Sequence, residues 1–387
     1  MCNIEKQVKK KRILCIYPSH FCNRGVTHAC LSVVSSMSSS NVDVMIMGVS
    51  SDKEVRSPCY TNSISSSINS IAYRLFSEEK LRYFCEYRFL QKLRDDDIAY
   101  LWPATSISLF EKIKEQGNKI VVENINCHQF ISKKILDSEY RKLGLKPAHT
   151  INDDAIQDEF RKLELSDYIF SPSPAVTESL LSSGVGNEKI LQTSYGLSED
   201  EILEYQFDNN KDRPLTAIFV GRIGVRKGIH LLLNYWDKAN INGILKVVGQ
   251  VEDSAQAIVE PFLNHPKIQF IKYTHDLKKV YREADFFILP SLEEGSPLVT
   301  YLALGAGLPC LVSPMGGGGI IKDEHEGFII DPHDEAGWVT AIRQMESKPE
   351  LREYQSKAAW MSAPTYLWKN VGQKRASELL RRFGISN

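Results

Sequence analysis

Short runs of apolar residues recur along the chain, and each is followed by a stretch with helical spacing. Six runs lie in the first half: Ile13–Tyr17, Val42–Met47, Ile98–Trp102, Ile120–Glu123, Tyr168–Phe170 and Ile190–Thr193. Six more lie in the second half: Ala217–Val220, Leu245–Val248, Ile268–Ile271, Phe286–Leu289, Cys310–Val312 and Phe328–Ile330. Continuous Val, Ile and Phe runs without polar alternation are typical of parallel strands covered on both faces. The pattern predicts an α/β protein with two doubly wound, Rossmann-like sheets of six strands each.

A polar stretch separates the two halves. Leu197–Pro214 contains the run Asp208-Asn209-Asn210-Lys211-Asp212 and is the best candidate for a linker. The length of 387 residues also fits about two domains of ~150–200 residues each. We therefore expect one domain over residues 1–205 and a second over 206–365.

Three segments of the first half depart from the strand–helix alternation. Ser35–Ser40 and Ser57–Ser70 are rich in serine, and we expect them to form mobile loops. Tyr73–Arg94 predicts an amphipathic helix with Phe76, Tyr83, Tyr87 and Leu90 near one face and Arg82, Arg88 and Lys92 mostly on the other. This helix either packs on its own sheet, which we favour, or lies on an anionic membrane surface.

Composition and charge exclude several classes of protein. With 43% hydrophobic and 25% charged residues the chain has globular values, which exclude a disordered, collagenous or coiled-coil protein. The formal net charge of −1 gives no overall attraction to nucleic acid, so no nucleic-acid partner is expected. Eight cysteines without a CxxC spacing are typical of reduced thiols. No apolar run reaches the ~18 residues of a membrane span, and the sequence predicts a cytosolic protein.

Two loops that follow predicted strands carry the candidate chemistry. In open parallel sheets, ligands bind beyond the carboxyl ends of strands, usually against a helix N-terminus. The first loop, Phe219–Gly228, has glycines that allow close backbone approach, and its Arg222 and Lys227 can flank a diphosphate. A basic surface turn is the alternative interpretation.

The second loop spans Ile288–Val299. Ser296 followed by Pro297 predicts the start of a helix, with the serine as its N-cap. Glu294 lies directly before that helix. It either faces the cleft or only complements the positive end of the helix.

The run from Ala217 to Met345 resembles the retaining GT-B glycosyltransferases of family 4, the group 1 type. The matching motifs are Gly221-Arg222…Lys227-Gly228, Tyr281…Ala284-Asp285…Leu289-Pro290-Ser291…Glu294-Gly295, Gly307…Pro309 and Gly316-Gly317…Glu326-Gly327-Phe328. The resemblance implies a GT-B fold, in which two Rossmann-like domains face a central cleft. It also implies that the C-terminal helix, residues 366–387, packs back on the first domain.

The resemblance implies a role for each matching residue. Arg222 and Lys227 would bind the donor diphosphate and stabilise it as it leaves, and Glu294 would hold hydroxyls of the donor sugar. Further donor contacts would come from Gly25, Gly221, Tyr273, Thr274, His275, Gly295, Ser296, Leu298 and Val299. For contact with the reacting sugar the candidate is His128, with Glu123 and Asn126 as competitors.

Three positions depart from the family pattern. Leu302 stands where the family has a second glutamate that holds the ribose hydroxyls, so the ribose must be held otherwise. Pro297 removes one amide donor where the family usually has a glycine. Gly318-Gly319 occupies a stretch where the family usually has a glutamate. The identity of the donor is therefore left open.

The resemblance implies an enzyme that transfers a sugar from a nucleoside-diphosphate donor, with retention, to a glycan or lipid-linked acceptor. Bacterial surface polysaccharide biosynthesis and a peripheral position at the inner face of the plasma membrane would suit it. No metal or other cofactor is expected, and Asp95-Asp96-Asp97 is expected to cap a turn. The alternatives are a catalytically silent binding subunit, which Leu302 supports, and a nucleotide-sugar epimerase of the same fold.

Overall fold

The computed structural model describes residues 10–65, 67–207, 213–272, 274 and 276–384. Tyr273, His275 and the linker run Asp208–Asp212 lie outside the described residues. The described chain forms two parallel sheets, one from each half of the sequence. The predicted boundary at residue 205 falls between them.

The first sheet has seven strands in the order β5-β3-β1-β6-β7-β8-β9. Its strands are β1 (Lys11–Ile16), β3 (Val42–Gly48), β5 (Tyr60–Asn62), β6 (Ile98–Leu101), β7 (Lys119–Glu123), β8 (Tyr168–Ser171) and β9 (Ile190–Gln192). A separate two-stranded pair consists of β2 (His20–Phe21) and β4 (Ser50–Ser51). Strand β1 is paired in parallel on both sides, with Ile13 opposite Val44 of β3 and Ile98 of β6.

The second sheet has six strands in the order β12-β11-β10-β13-β14-β15. They are β10 (Leu215–Val220), β11 (Gly243–Val248), β12 (Ile268–Ile271), β13 (Phe286–Leu289), β14 (Cys310–Val312) and β15 (Gly327–Ile329). Ala217, Ile218 and Phe219 of β10 are all fully buried, although successive side chains point to opposite faces. Both faces of the sheet are therefore covered, as the continuous apolar runs predicted.

Helices cover both sheets. The first half contains α1 (Gly25–Ser35), α2 (Asn69–Leu75), α3 (Glu78–Lys92), α4 (Ile107–Glu115), α5 (Gln129–Lys142), α6 (Asp153–Leu165) and α7 (Pro174–Ser182). The second half contains α8 (Ile229–Ala239), α9 (Gln256–Val259), α10 (Leu277–Arg282), α11 (Leu298–Gly305), α12 (Pro314–Gly317), α13 (Glu335–Ser347), α14 (Pro349–Ser362) and α15 (Trp368–Arg382). No helix within the described ranges has the length and apolar character needed to cross a bilayer. The prediction of two doubly wound α/β domains is confirmed.

The serine-rich segment Ser57–Ser70 is not wholly a loop. It supplies the edge strand β5, so the first sheet has seven strands and not the six predicted. Tyr60 accounts for the ordered conformation of this segment. Its ring packs 4.7 Å from the ring of Phe21, and its hydroxyl donates to the Ser50 carbonyl at 2.9 Å. One aromatic side chain thus fixes a segment whose polar composition suggested a loop.

The predicted helix over Tyr73–Arg94 is two helices, α2 and α3. Ser77 accepts a hydrogen bond from the Lys80 amide and restarts the helix after the break. The buried side of α3 is formed by Leu81, Cys85 and Phe89, spaced four residues apart. Of the four side chains predicted to share one face, Leu90 packs against the core, whereas Phe76, Tyr83 and Tyr87 each keep more than half of their surface in solvent.

The last helix, α15, packs against α1 of the first domain. Gly372 allows this approach, since a Cβ there would lie 2.5 Å from the Ser36 carbonyl carbon. Arg375 of α15 is fully buried and forms an ion pair with Glu123 at the end of β7, at 2.8 Å. The chain thus crosses to the second domain and returns. The returning chain lies beside the start of the predicted linker, where the Trp368 amide donates to the Leu197 carbonyl at 3.1 Å.

Candidate functional site

Two loops at the carboxyl edge of the second sheet are held together by backbone contacts. The Leu292 amide donates to the Arg226 carbonyl at 2.9 Å, which joins the loop after β13 to the loop after β10. Gly228 has a φ of 72°, and a Cβ there would lie 2.0 Å from the Pro290 carbonyl oxygen. Only glycine fits this crossing. The two loops singled out in the sequence therefore form one structural unit.

This unit brings four charged side chains together. Lys227 forms an ion pair with the carboxylate oxygen Oε1 of Glu294. Arg226 Nη1 lies 3.1 Å from the same oxygen and 3.1 Å from Glu293 Oε2. Lys227, Glu293 and Glu294 are buried, so two cations and two carboxylates share a site largely removed from water.

The electrostatics of the cluster are balanced. Burial by itself would lower the pKa of Arg226, but the charges of Glu294 and Glu293 outweigh it and raise that pKa. Buried carboxylates are stable as anions only when they are paired. An incoming diphosphate would meet two cations that are at present neutralised by Glu293 and Glu294.

Arg222 lies at the rim of this site. Three quarters of its side chain is exposed, and its nearest carboxylate, Glu252 Oε1, is 3.8 Å away. Arg222 and Arg226 line a cavity of about 460 Å³ together with Gln250, and Tyr140 and His149 border it from the first domain. A guanidinium in this position is accessible to an anion that enters between the domains.

The first domain closes directly over the Glu294 loop. A Cβ on Gly295 would lie 1.7 Å from the Ile125 carbonyl oxygen, so the backbones touch here. Ser132 of α5 donates to Glu293 Oε1 at 3.0 Å, and the Cys127 thiol donates to the Glu294 carbonyl at 3.5 Å. The first domain therefore contacts the carboxylate of Glu293 and the backbone of Glu294 directly.

His128 does not reach this cleft, which corrects the expectation that it contacts the reacting sugar. Its side chain is completely buried, and its ring packs 4.5 Å from that of Phe160. Nδ1 accepts a hydrogen bond from the Phe130 amide and so caps α5. Burial lowers the pKa of His128 to about 4, which keeps the ring neutral as a cap. Sequence spacing could not distinguish a helix cap from a cleft residue.

The two competitors of His128 have different surroundings. The carboxylate of Glu123 is already paired with Arg375 in a buried ion pair. Asn126 is exposed, and its Cα would lie 3.0 Å from a Cβ on Gly295. Of the three candidates, Asn126 alone lies beside the loop that carries Glu294 and Gly295.

The remaining candidate donor residues are distributed over both sides of the cleft. Gly25 is exposed with a φ of 60° at the start of α1, and Gly221 follows β10 directly with a φ of 149°. Leu298 and Val299 are half-buried in the first turn of α11. Thr274 accepts a hydrogen bond from the Asp276 amide at 3.2 Å. Tyr273 and His275 lie outside the described residues.

Ser296 does not cap α11, contrary to the prediction. Pro297 occupies the N-cap position, and the Ser296 hydroxyl lies 2.8 Å from the Tyr301 hydroxyl. Tyr301 in turn accepts a hydrogen bond from the Tyr195 amide at 2.9 Å. Leu302, one residue on, is half-buried against the core.

Three residues of the site were not singled out from the sequence. Arg226, Glu293 and Ser132 join the cluster through the contacts above. The adjacent like charges in Arg226-Lys227 and Glu293-Glu294 are a sequence signal that could have identified Arg226 and Glu293. Ser132 lies in a helix of the other domain, and no local pattern connects it with Glu293.

The run Asp95-Asp96-Asp97 forms a turn, as expected. Asp97 is buried and accepts hydrogen bonds from Arg12 Nε at 2.9 Å and from the Arg94 amide at 2.8 Å. The described part of the chain contains no group of three or more His, Cys, Asp or Glu side chains arranged to hold a metal ion.

The family model described as glycosyl transferases group 1 matches residues 201–360. This segment contains both loops of the charged cluster. Residues 201–360 form a glycosyl transferases group 1 domain. The group 1 domain thus supplies Lys227 and Glu294, while the first domain supplies the loop that closes on them.

Curated proteins similar to this chain carry the names of sugar transferases. Sulfoquinovosyl transferase SQD2 of Arabidopsis thaliana is 27% identical over 228 residues, 55% of this chain and 44% of that protein. UDP-Gal:alpha-D-GlcNAc-diphosphoundecaprenol alpha-1,3-galactosyltransferase of Escherichia coli is 34% identical over 77 residues, 20% of each chain. The chain thus spans less than half the length of these two curated relatives.

Solved structures show that the fold extends beyond the group 1 domain. Sucrose-phosphate synthase from Thermosynechococcus elongatus superposes with a TM-score of 0.74 at 17% identity, over 97% of this chain and 100% of that one. Anabaena Alr3699/HepE in complex with UDP-glucose gives a TM-score of 0.64 at 12% identity, over 96% and 99%. The chain has the GT-B fold.

Proposed function

We propose that the protein is a retaining glycosyltransferase that moves a sugar from a nucleoside-diphosphate donor to a glycan or lipid-linked acceptor. The observation that carries this proposal is the ion pair between Lys227 and Glu294, buried where the first domain closes on the second. Lys227 would exchange its carboxylate partner for the donor diphosphate. Glu294, released from Lys227, would accept hydrogen bonds from hydroxyls of the donor sugar.

In the proposed reaction the bond between the anomeric carbon and the diphosphate oxygen breaks as the acceptor oxygen bonds to that carbon on the same face. The departing phosphate oxygen takes the proton of the acceptor hydroxyl, so no protein nucleophile is required. Negative charge grows on the diphosphate, and Arg222 and Lys227 would stabilise it. The proposal includes no metal or other cofactor, since these two cations supply the positive charge.

Names of the compared proteins guide the choice of substrates. HepE was solved with UDP-glucose, which makes a UDP-sugar the first donor to test. The Escherichia coli relative is named for a diphosphoundecaprenol-linked acceptor. We therefore propose a lipid-linked or glycan acceptor, surface polysaccharide biosynthesis as the setting, and a peripheral position at the cytosolic face of the membrane.

The test measures transfer and donor hydrolysis with labelled UDP-, GDP- and dTDP-sugars, for the wild type and for Lys227→Ala and Glu294→Gln. We expect both variants to lose at least about 100-fold in turnover, because each removes a group that meets the transition state. Lys246→Ala is the matched control, since Lys246 forms a comparable 3.0 Å pair with Glu283 in the same domain.

Binding of nucleoside diphosphates, measured by thermal shift, helps to distinguish the proposed enzyme from a catalytically silent subunit. A catalytically silent subunit would bind a nucleotide and show wild-type turnover no higher than that of Lys227→Ala. That outcome would overturn the enzymatic proposal. Wild-type turnover that the Lys246→Ala control retains and both site variants lose supports it.

A further inference from the structure

The outer surface of α2 and α3 is unusually apolar. Thirteen large hydrophobic side chains are exposed among the described residues, and eight of them lie between residues 68 and 87. They are Ile68, Ile71, Tyr73, Leu75, Phe76, Tyr83, Phe84 and Tyr87. We call these eight residues the aromatic face. A concentration of this kind marks a surface that meets something other than water.

Helix geometry arranges these side chains in two stripes. Ile68, Ile71 and Leu75 follow a spacing of three and four residues along α2, and Leu75 is 70% exposed. On α3, Tyr83 and Phe84 precede Tyr87 by four and three residues, while Leu81, Cys85 and Phe89 point into the core. Because Leu81, Cys85 and Phe89 already pack α3 against the core, the aromatic face is a second apolar side of the helix pair. No other part of the described structure covers it.

Charge decides between the classes of partner. Arg74, Lys80 and Arg88 are exposed and alternate with the aromatic side chains, whereas Glu86 is buried and accepts hydrogen bonds from Ser106. The other two acidic residues of the helix pair, Glu78 and Glu79, lie in the first turn of α3, where they complement the helix dipole. Tyrosine with interspersed exposed Lys and Arg suits the interface of an anionic bilayer, where aromatic rings lie at the headgroup level and basic side chains meet lipid phosphates.

The aromatic face begins at the rim of the interdomain cleft. The Tyr73 hydroxyl of α2 lies 3.1 Å from Ser50 Oγ, and Ser50 Oγ lies 2.7 Å from His20 Nδ1. Ser50 and His20 follow the carboxyl ends of β3 and β1, the edge of the first sheet that faces the second domain. A surface that contacts this face would therefore lie next to the cleft entrance.

We infer that the aromatic face of α2 and α3 binds the headgroup layer of an anionic lipid bilayer and holds the cleft entrance at its surface. The inference rests on the proposed function only in that a lipid-linked acceptor would be presented there. Aromatic side chains insert at the interface, and Arg74, Lys80 and Arg88 pair with lipid phosphates.

The test is flotation of the whole protein with vesicles of phosphatidylcholine alone and with vesicles that also contain phosphatidylglycerol. We expect binding to the phosphatidylglycerol vesicles that falls at least about tenfold in the triple variant Tyr83→Ser, Phe84→Ser, Tyr87→Ser. Charge reversal by Arg74→Glu, Lys80→Glu and Arg88→Glu should lower it comparably and remove its dependence on salt. Leu263→Ser with Tyr354→Ser, both exposed on the second domain, is the matched control.

Vesicle binding is measured without donor, so its outcome is independent of turnover. Wild-type protein that stays unbound in both vesicle preparations overturns the inference. So does equal binding by wild type and both variants. A wild-type dimer in light scattering that the triple serine variant converts to monomer, without any vesicle binding, would identify the aromatic face as an interface between protein chains. Circular dichroism of the variants confirms that α3 remains folded.

Discussion

Glu293 and Glu294 are adjacent in the sequence, yet their carboxylates have different partners. Glu294 pairs with Lys227 and Arg226 within its own domain. Glu293 pairs with Arg226 and also accepts the Ser132 hydroxyl of the first domain. Arg226 is therefore the residue that both carboxylates share, although the sequence comparison directed attention to Arg222 and Lys227.

Arg226→Gln is expected to lower the free energy of unfolding by about 1–3 kcal/mol, because Glu293 would lose its cation and Glu294 would keep only Lys227. Arg222→Gln is the matched control: its side chain is 75% exposed, and we expect a change within about 0.5 kcal/mol. Urea unfolding of both variants checks this. Equal losses would show that Arg226 does not stabilise the cluster.

At the scale of elements, α5 and α6 hold a largely buried carboxylate at a helix N-terminus. Glu159 of α6 accepts a hydrogen bond from the Gln129 amide in the first turn of α5, at 2.7 Å. Burial raises the pKa of Glu159 from 4.5 to about 7, although the Gln129 amide opposes the shift. The neighbouring His128 lies 3.6 Å away and stays neutral. The amino end of α5 is therefore sensitive to pH.

Between pH 4.5 and about 7 the folded state binds more protons at Glu159 than the unfolded chain does. The free energy of unfolding contributed by this group therefore falls as the pH rises through that window. Glu159→Gln should remove this pH dependence. The free energy of unfolding of the variant should therefore exceed that of the wild type by about 2 kcal/mol at pH 8 and by little at pH 5.

Urea unfolding at pH 5 and pH 8 measures the difference in the free energy of unfolding between each variant and the wild type. Glu164→Gln, exposed on the same helix, is the control and should shift neither value. A Glu159→Gln variant whose stability follows the wild type at both pH values contradicts the raised pKa.

At the scale of the whole molecule, α15 links the end of the chain to the first domain through one buried ion pair. Arg375 donates to both oxygens of Glu123, to the Tyr100 hydroxyl at 3.0 Å and to the Ser194 carbonyl at 2.8 Å. Glu123 also accepts the Tyr100 hydroxyl. Three segments that are remote from α15 in sequence thus contact one guanidinium.

Arg375→Met is expected to destabilise the protein by about 3–5 kcal/mol, because Glu123 would remain as an uncompensated buried charge. Adding Glu123→Leu should restore part of this loss, since the double variant removes that charge as well. Arg381→Met, on the exposed side of the same helix, should change little. Thermal unfolding of the three variants checks the ranking, and a double variant less stable than Arg375→Met would contradict it.

Local pattern predicted much of this protein. The apolar runs specified twelve strands, because a strand buried on both faces needs consecutive apolar residues. The glycines and charges of Phe219–Gly228 and the Glu294 loop marked the site, because the carboxyl ends of parallel strands meet at one edge. Polar composition was misleading at Ser57–Ser70, where the single side chain of Tyr60 decides the pairing of β5.

The sequence by itself determined the fold class and the two loops of the second domain, since both depend on residues close together in the chain. Only the tertiary structure decided that Ser132 meets Glu293, that His128 caps a helix away from the cleft and that Phe76, Tyr83 and Tyr87 face outward. Each of these depends on which side of an element meets its neighbour. Helical periodicity shows that a helix has two sides, but contact with the rest of the molecule selects the one that is buried.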